Sequence, residues 1–588
     1  MQEVVACSKS IAVRTLNVFQ SHKTQNDQFP SHPTKVNQRT SACYLLEVPW
    51  ENADQWLPTQ QLLDEILLPV ERRLPFLRHR SFPLERLGLG LPAPDLQRHH
   101  AHRPRLAPLR SIPDRRAFGW FRLLVCAGLV TTIAAPRSHA LHARRIGERL
   151  AVLPGQHVHT HNLRMDNFDR DYRFSESVRS LDFVAPEQAA TFEGIVRSDG
   201  RVGTRNYIGV LTSVNCSASV ARHVTKRFQE DVMAEFPNVD GVVALTHDHG
   251  CGGCAGIGLN YIQRTLSGYS RHPNFYAVII IGLGCEANQI GAMMEAEKLN
   301  PSDKLHAFTI QDSGGSAAAA ERGEGLVREL LSDANQIERV TRPVSDLILA
   351  LECGGSDGYS GISANPALGA AADLLVLNGG TACLGETPEV YGAEHLLTQR
   401  AVSPEVGQKL VDRIRWWEDY TQANHAEMNN NPAPGNKAGG LTTILEKSLG
   451  AVAKGGTTNL VDVYEYAQPI TKKGFVFMDT PGYDPASITG MVAGGANITC
   501  FTTGRGSVFG GKPVPGLKLA TNTPMYLRME SDMDINCGDI VDGTSSVEKK
   551  GQEIFERIIS CASGERSKSE IMGMGEEEFV PWMVGAIL

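Results

Sequence analysis

The reactive side chains of this sequence are densest in one stretch, Thr246-His247-Asp248-His249-Gly250-Cys251-Gly252-Gly253-Cys254, directly after the apolar run 241–245. Two imidazoles, a carboxylate and two thiols offer nitrogen, oxygen and sulfur donors to a metal ion, and the glycines let the backbone fold tightly around one. Taken alone, His247, His249, Cys251 and Cys254 read as a structural zinc hook, although such sites favour two separated ligand pairs. Three more cysteines, Cys216, Cys285 and Cys353, stand at comparable places in the chain. With Cys251 they form a second reading, an iron–sulfur cluster, without the ligand spacing of a ferredoxin. A third is a hydro-lyase that uses one divalent metal ion together with acid and base side chains.

All of these residues follow apolar runs. The spacing predicts strands at 207–214, 242–245, 277–281, 306–310 and 347–351, ending respectively at Asn215-Cys216, the opening stretch, Gly284-Cys285-Glu286, Gln311-Asp312 and Glu352-Cys353. Helices are expected between them, over 217–236, through Tyr261–Leu266 and over 317–331. Near-continuous apolar strands alternating with helices predict an α/β fold, a parallel sheet covered on both faces. Ligands bind such sheets beyond the carboxyl ends of the strands. A second α/β portion is expected after residue 370, with strands at 371–377, 459–463, 475–479 and 498–502. Its breaker-rich loop Asn431–Gly440 and its Thr503-Gly504-Arg505-Gly506-Ser507 loop suit the holding of an anion.

The chain has 588 residues, enough for three or four domains. Its net charge of -8 argues against a nucleic-acid partner. Twelve cysteines in this length are no disulfide scaffold. The longest apolar run, 123–135, is too short to span a bilayer. A cytoplasmic protein is expected.

Residues 1–136 differ from the rest: no glycine precedes Gly88 and no lysine falls between Lys35 and Lys226. The stretch reads as an atypical extension, either poorly packed or translated out of frame. At 157–161, alternation would put His157, His159 and His161 on one side of a strand. Residues 166–192 read as a linker.

Several motifs in this order resemble the altronate/galactarate dehydratase family: Gly203-Thr204-Arg205-Asn206, His247 with Gly250-Cys251, Gly282-Leu283-Gly284-Cys285-Glu286, Glu352-Cys353-Gly354-Gly355-Ser356-Asp357, Asn431-Pro432 with Pro434-Gly435-Asn436-Lys437, and Thr502-Thr503-Gly504-Arg505-Gly506. The resemblance covers about residues 150–588. It implies a remnant of a small β-rich SAF-like domain at 137–165, a central α/β domain at 193–370 and a C-terminal α/β domain at 371–588.

It also implies dehydration of an aldaric or aldonic acid, galactarate ahead of altronate, to a keto-deoxy acid, with a divalent metal such as Fe2+ or Mn2+. On this basis His247, Cys251, Cys285 and Glu286 are expected metal ligands, with His159 or His161 reaching over from the N-terminal piece. Lys437 or His249 would move protons, and Glu352 and Asp357 would hold the metal or orient substrate hydroxyls. Arg205, Asn206, Ser356, Asn436 and Arg505 would hold the acid. The expected partner is a small-molecule sugar acid, with no nucleic acid or membrane, and a homodimer as one assembly. A sulfo-lyase acting on a sulfolactate-like acid, an iron–sulfur hydro-lyase and a non-catalytic sugar-acid-binding protein stay open beside it.

Overall fold

The computed structural model describes residues 172–252 and 256–585, and upstream of them the backbone of a few short strands. The chain divides into two compact units, residues 1–144 with 149–158, and residues 145–148 with 159–588. In the first, Tyr44–Val48, Phe121–Cys126 and Leu129–Ala134 form an antiparallel sheet. His157, His159, His161, Cys254 and the expected SAF-like remnant lie outside the described residues.

The second unit is α/β and holds two fully parallel sheets. The first has four strands in the spatial order Leu305–Thr309, Phe275–Gly282, Tyr207–Thr212, Gly241–Leu245. Its inner strands are made of branched and aromatic residues that suit a pleated surface buried on both faces. Ile279, Ile280 and Ile281 are each fully buried, at about 1.5–3 kcal/mol per side chain relative to exposure. The expected helix over 217–236 is instead a turn and two short helices, Ala218–Thr225 and Glu230–Met233.

The second sheet has seven strands, ordered Leu460–Tyr464, Gly474–Met478, Thr381–Leu384, Ile348–Cys353, Ile498–Thr503, Gly516–Ala520, Ile535–Asn536. Ile348–Cys353 therefore belongs to this sheet and not to the first, so the change of sheet falls before residue 348 rather than at 370. The segment expected as a strand at 371–377 is the end of the helix Ala364–Leu377. Its Ala-Ala-Asp-Leu-Leu-Val-Leu run is apolar on all sides because the helix is buried, and such a run cannot be told from a strand by periodicity.

The two sheets pack through helices. Gly268, on the helix Ile257–Ser270, meets the helix Asp484–Ala493 so closely that a Cβ would lie 2.2 Å from the Ala493 carbonyl oxygen. Residues 172–190, expected as part of a linker, are bound along the C-terminal half: Ser175 and Ser177 donate backbone hydrogen bonds to Thr398 and Gln399, and Val184 to Leu377.

Each sheet reverses its winding beside its first strand. The chain lays Gly241–Leu245 on one side of Tyr207–Thr212 and Phe275–Gly282 on the other. In the same way Thr381–Leu384 and Ile498–Thr503 flank Ile348–Cys353. Loops diverge at such switch points and open a crevice beyond the strand ends.

Candidate active site

At the first switch point the loops after three strands are tied together by backbone hydrogen bonds. The Asn215 amide donates to the His249 carbonyl at 2.7 Å and the Ala287 amide to the Cys251 carbonyl at 2.7 Å. This lacing gathers three thiols. Cys216 and Cys251 have their sulfurs 3.4 Å apart, and the Cys285 thiol also bonds to Cys251. Cys216 and Cys285 are exposed and Cys251 half-buried. The hydrogen bond with Cys216 foremost, then burial and the charge of the neighbouring thiols, push the Cys251 thiol up to about 11.

Two expected metal ligands serve this loop cluster differently. His247 is buried, with Nε2 2.9 Å from the Thr212 carbonyl, and its Nδ1 accepts from the His249 amide at 3.2 Å. A carbonyl only accepts and an amide only donates, so the ring is the neutral Nε2–H tautomer and has no lone pair left for a metal. Burial and the neighbouring His249 hold its pKa down at about 3. Glu286 accepts from Ser213 Oγ at 2.6 Å and from the Gly284 and Leu283 amides at 2.7 and 3.3 Å. Burial opposes its ionisation, but these bonds outweigh burial and keep the carboxylate charged. It closes the loop that presents Cys285. His249 is buried, bonds to the Pro581 carbonyl and meets His247 edge-on at 5.2 Å; burial lowers its pKa.

The second switch point holds a different group. Cys353 ends its strand fully buried, 3.2 Å from Glu386 and 3.4 Å from Glu389. It is not with the other three thiols, so the four-cysteine cluster does not form. Lys454 donates to Glu386 at 2.7 Å and Lys447 to Glu389 at 2.5 Å, with all four side chains buried. Glu352 is completely buried, accepts from Ser487 at 2.7 Å and is hydrogen-bonded to Glu386. Burial, then the charge of Glu386, raises its pKa well above the carboxylate range, so Glu352 keeps a proton. Among the described residues its Oε1 and the Oε1 of Glu386 have no other partner, which one shared proton satisfies. Asp484 joins them, with one oxygen each from Glu352, Glu386 and Asp484 within 4.8 Å of one another. Burial and the charges of Glu386 and Glu389 push Asp484 up to about 7. Only glycine fits beside it at 354, where a Cβ would lie 2.0 Å from the Asp484 carboxylate.

After the strand Ile348–Cys353 three loops meet in a rim. Asn436 donates to the Ser356 carbonyl at 2.8 Å, and the Gly504 and Arg505 amides donate to Gly355 at 3.1 and 3.0 Å. Lys437 and Arg505 are exposed, and the buried Ser356 hydroxyl has no partner among the described residues. Asn431 ties the rim to the cluster below by bonding both Glu389 and Lys447. Asp357, expected to bind metal or substrate, spends both oxygens on Tyr359, Ser360, Thr521 and Asn522 and shapes the loop.

Arg205 and Asn206 sit elsewhere. The Arg205 guanidinium is 1 % exposed and places all five N–H groups on Glu570, Thr204, Cys561 and Glu565. It has no donor left for a substrate carboxylate and brackets the C-terminal segment instead. Asn206 bonds Asn238 and Ala334 and is equally buried.

Among the described residues two groups bring three donor atoms within 4.8 Å of one another as an ion requires, Cys353 with Glu386 and Glu389, and Glu352 with Glu386 and Asp484. In the buried group the ammonium ions of Lys447 and Lys454 already neutralise Glu389 and Glu386, while Glu352 retains its proton, so a further dication would be uncompensated. The three thiols have no such counter-ion among the described residues.

Two parallel sheets with polar loops gathered beyond their strand ends are the setting in which α/β enzymes bind small ligands. Sequence comparison agrees. Residues 344–587 match the family described as D-galactarate/altronate dehydratase, C-terminal, and residues 194–335 the D-galactarate dehydratase/altronate hydrolase second domain. Galactarate dehydratase (L-threo-forming) of Escherichia coli K12 is 39 % identical over 395 residues, covering 65 % of this chain and 75 % of that protein. Altronate dehydratase of Bacillus subtilis 168 is 35 % identical over 412 residues, 70 % of this chain and 81 % of that protein. The β subunit of (2R)-sulfolactate sulfo-lyase from Chromohalobacter salexigens is 31 % identical over 394 residues, 66 % of this chain and 96 % of that protein. The chain belongs to the galactarate/altronate dehydratase family and is a carbon–oxygen hydro-lyase. Among the described residues no helix is long and apolar enough to cross a membrane.

Proposed function

We propose that the chain dehydrates galactarate to a keto-deoxy aldarate at the end of the seven-stranded sheet. Arg505 on the rim, with Asn436 and the Ser356 hydroxyl, receives a carboxylate of the substrate. The α proton is weakly acidic, and Lys437 at the same rim takes it in its amine form, having first released its own proton to solvent. The electron pair left on the α carbon expels the β hydroxyl, which needs a proton to depart as water. Asp484 supplies it: with a pKa near 7 it exists in both forms at neutral pH, and it stands beside Glu352, which holds a proton in reserve. The enol that results tautomerises to the keto acid. A divalent ion, where bound, supplies Lewis-acid stabilisation of the enediolate.

The observation that carries this reading is the group Glu352, Glu386 and Asp484 at the end of the strand Ile348–Cys353, whose following loop packs Gly354 against Asp484 and bonds Asn436 and the Arg505 amide. Galactarate is favoured over altronate by the higher identity to the galactarate enzyme. A purified-enzyme panel of galactarate, altronate and (2R)-sulfolactate, scored for keto acid and for sulfite, tests it. The expected result is the highest kcat/KM on galactarate with no sulfite released. Faster turnover of sulfolactate, with sulfite, would replace it by the sulfo-lyase reading.

A further inference from the structure

Where the segment 172–190 passes the turn after the helix Ile444–Val452, it leaves a cleft of about 280 Å³. The charged side chains that line it are two arginines, Arg179 and Arg400. Asn459 pins the first through its backbone, accepting from the Arg179 amide at 2.9 Å and donating to its carbonyl at 2.8 Å. The Arg179 side chain stays exposed, with no carboxylate partner among the described residues. Arg400 is only 7 % exposed and lies over the Phe475 ring at 4.5 Å. Its Nη1 donates to the Gly455 and Thr458 carbonyls at 3.2 and 2.6 Å, and its Nη2 to the same Gly455 carbonyl at 3.3 Å. Burial lowers its pKa to about 10, which Asp373 opposes and Arg179 reinforces. Asp373 does not reach it, because both its oxygens accept from the Thr457 and Thr458 amides and the Thr457 hydroxyl. A buried cation ordinarily has an acid in contact. Among the described residues this one has only carbonyls.

We infer that this cleft binds a small organic oxyanion, with its carboxylate or phosphate group between Arg179 and Arg400 and its carbon skeleton along Leu396, Leu449 and Val452. The free donors of Arg400 fit such a group. Gly455 accepts from both Nη1 and Nη2, so the Nη2–H left over is the one beside Nε–H. Those two N–H groups form a side-on fork that meets two oxygens of one carboxylate or phosphate. Arg179 brings the second positive charge, and the apolar wall gives an organic anion an advantage over a bare inorganic one. The inference does not rest on the proposed substrate. Leu449, Val452 and Ala453 face the cleft, while Lys447 and Lys454 of the same helix and turn hold Glu389 and Glu386 inside the protein. An occupied cleft therefore fixes the segment that balances the buried carboxylates, which is the placement of an effector site and not of a second substrate site.

The test is isothermal titration of the full-length Arg505→Ala chain, which lacks the rim guanidinium, at constant ionic strength. Succinate and inorganic phosphate are the probes, and succinamide is the uncharged control. One anion per chain is expected, and no binding of succinamide. Tighter succinate makes the natural ligand a carboxylic acid, and tighter phosphate a phosphorylated compound. Adding Arg179→Gln should weaken binding about tenfold or more. Leu449→Glu, which tethers a carboxylate in the cleft, should do the same. Both side chains are exposed, so neither variant should shift the melting temperature by much. In the wild type, which avoids any folding defect, the tighter anion should slow amide hydrogen exchange at 177–179 and 453–457. Binding of neither anion would overturn the inference. So would unchanged affinity in both variants, or protection confined to other segments.

Discussion

At the end of the four-stranded sheet two exposed thiols and a half-buried one have no cation beside them among the described residues, whereas at the end of the seven-stranded sheet Glu352, Glu386 and Glu389 are buried with Lys447 and Lys454, and Asp484 is half-buried beside them. The topology is the same in both, a parallel sheet with its winding reversed beside the first strand. Solvation makes the difference. An exposed group of donors can stay neutral and wait for an ion, while buried charges must bring their own counter-ions or hold protons. The first region keeps its thiols near the surface, and the second balances its charges with its own lysines and a retained proton. Glu386 shows how firmly the second is constructed: it sits at φ 63°, ψ 62°, a left-handed conformation that costs a non-glycine residue about 1–2 kcal/mol. The Thr480 hydroxyl accepts from its amide at 2.6 Å and holds it there.

The largest effect should come from unbalancing the buried side. Lys454→Met leaves Glu386 without its partner and should cost about 3–5 kcal/mol of unfolding free energy. Lys454→Met with Glu386→Gln should restore most of that loss in urea denaturation. A double variant as unstable as the single would mean that the pair is not the balancing element.

Next is Asp484→Asn, which keeps the shape and removes the proton. It should lower kcat on galactarate by about 100-fold or more without changing the melting temperature by much. An unchanged kcat would remove Asp484 from the reaction. Arg505→Ala, at the rim, should lower kcat/KM by about 10- to 100-fold, as expected for a lost charge-assisted hydrogen bond. Steady-state kinetics read this directly, and an effect on stability alone would place Arg505 among structural residues.

A pH dependence follows from the same carboxylate. Asp484 is raised to about 7 in the folded chain from an ordinary value near 3.8. The folded state therefore binds the proton more tightly between these values. This contribution to stability is fully present below about pH 4 and is lost as pH rises through 7. Chemical denaturation at pH 5 and pH 8 should show a difference that Asp484→Asn abolishes.

Much of this division was hidden in the sequence. Apolar runs followed by polar or glycine-bearing loops marked the strand ends, and recurring cysteines marked one edge, because buried strands and their loops are local patterns. The sorting of those cysteines was not local: Cys353 follows the same kind of run, yet its strand pairs with Ile498–Thr503, far along the chain. Glu386, Glu389, Lys447 and Lys454 were not picked out as site residues. Charges on helices and turns ordinarily face water, and nothing within a few residues of Lys447 tells that Glu389, 58 positions away, will neutralise it. The signal available was Gly385-Glu386-Thr387-Pro388-Glu389 at a strand end, the same kind of loop that drew attention elsewhere. Arg205 misled for the opposite reason. A cation in a glycine-flanked loop suggests an anion site, and here the anion is the chain's own Glu570.

The most direct test of the dehydratase reading is proton NMR of galactarate incubated in deuterium oxide with the anaerobic, iron(II)-supplied enzyme. Loss of the β hydroxyl should appear as a new methylene in the keto-deoxy product carrying one solvent deuteron. No new methylene from galactarate, altronate or any other sugar acid would contradict the account.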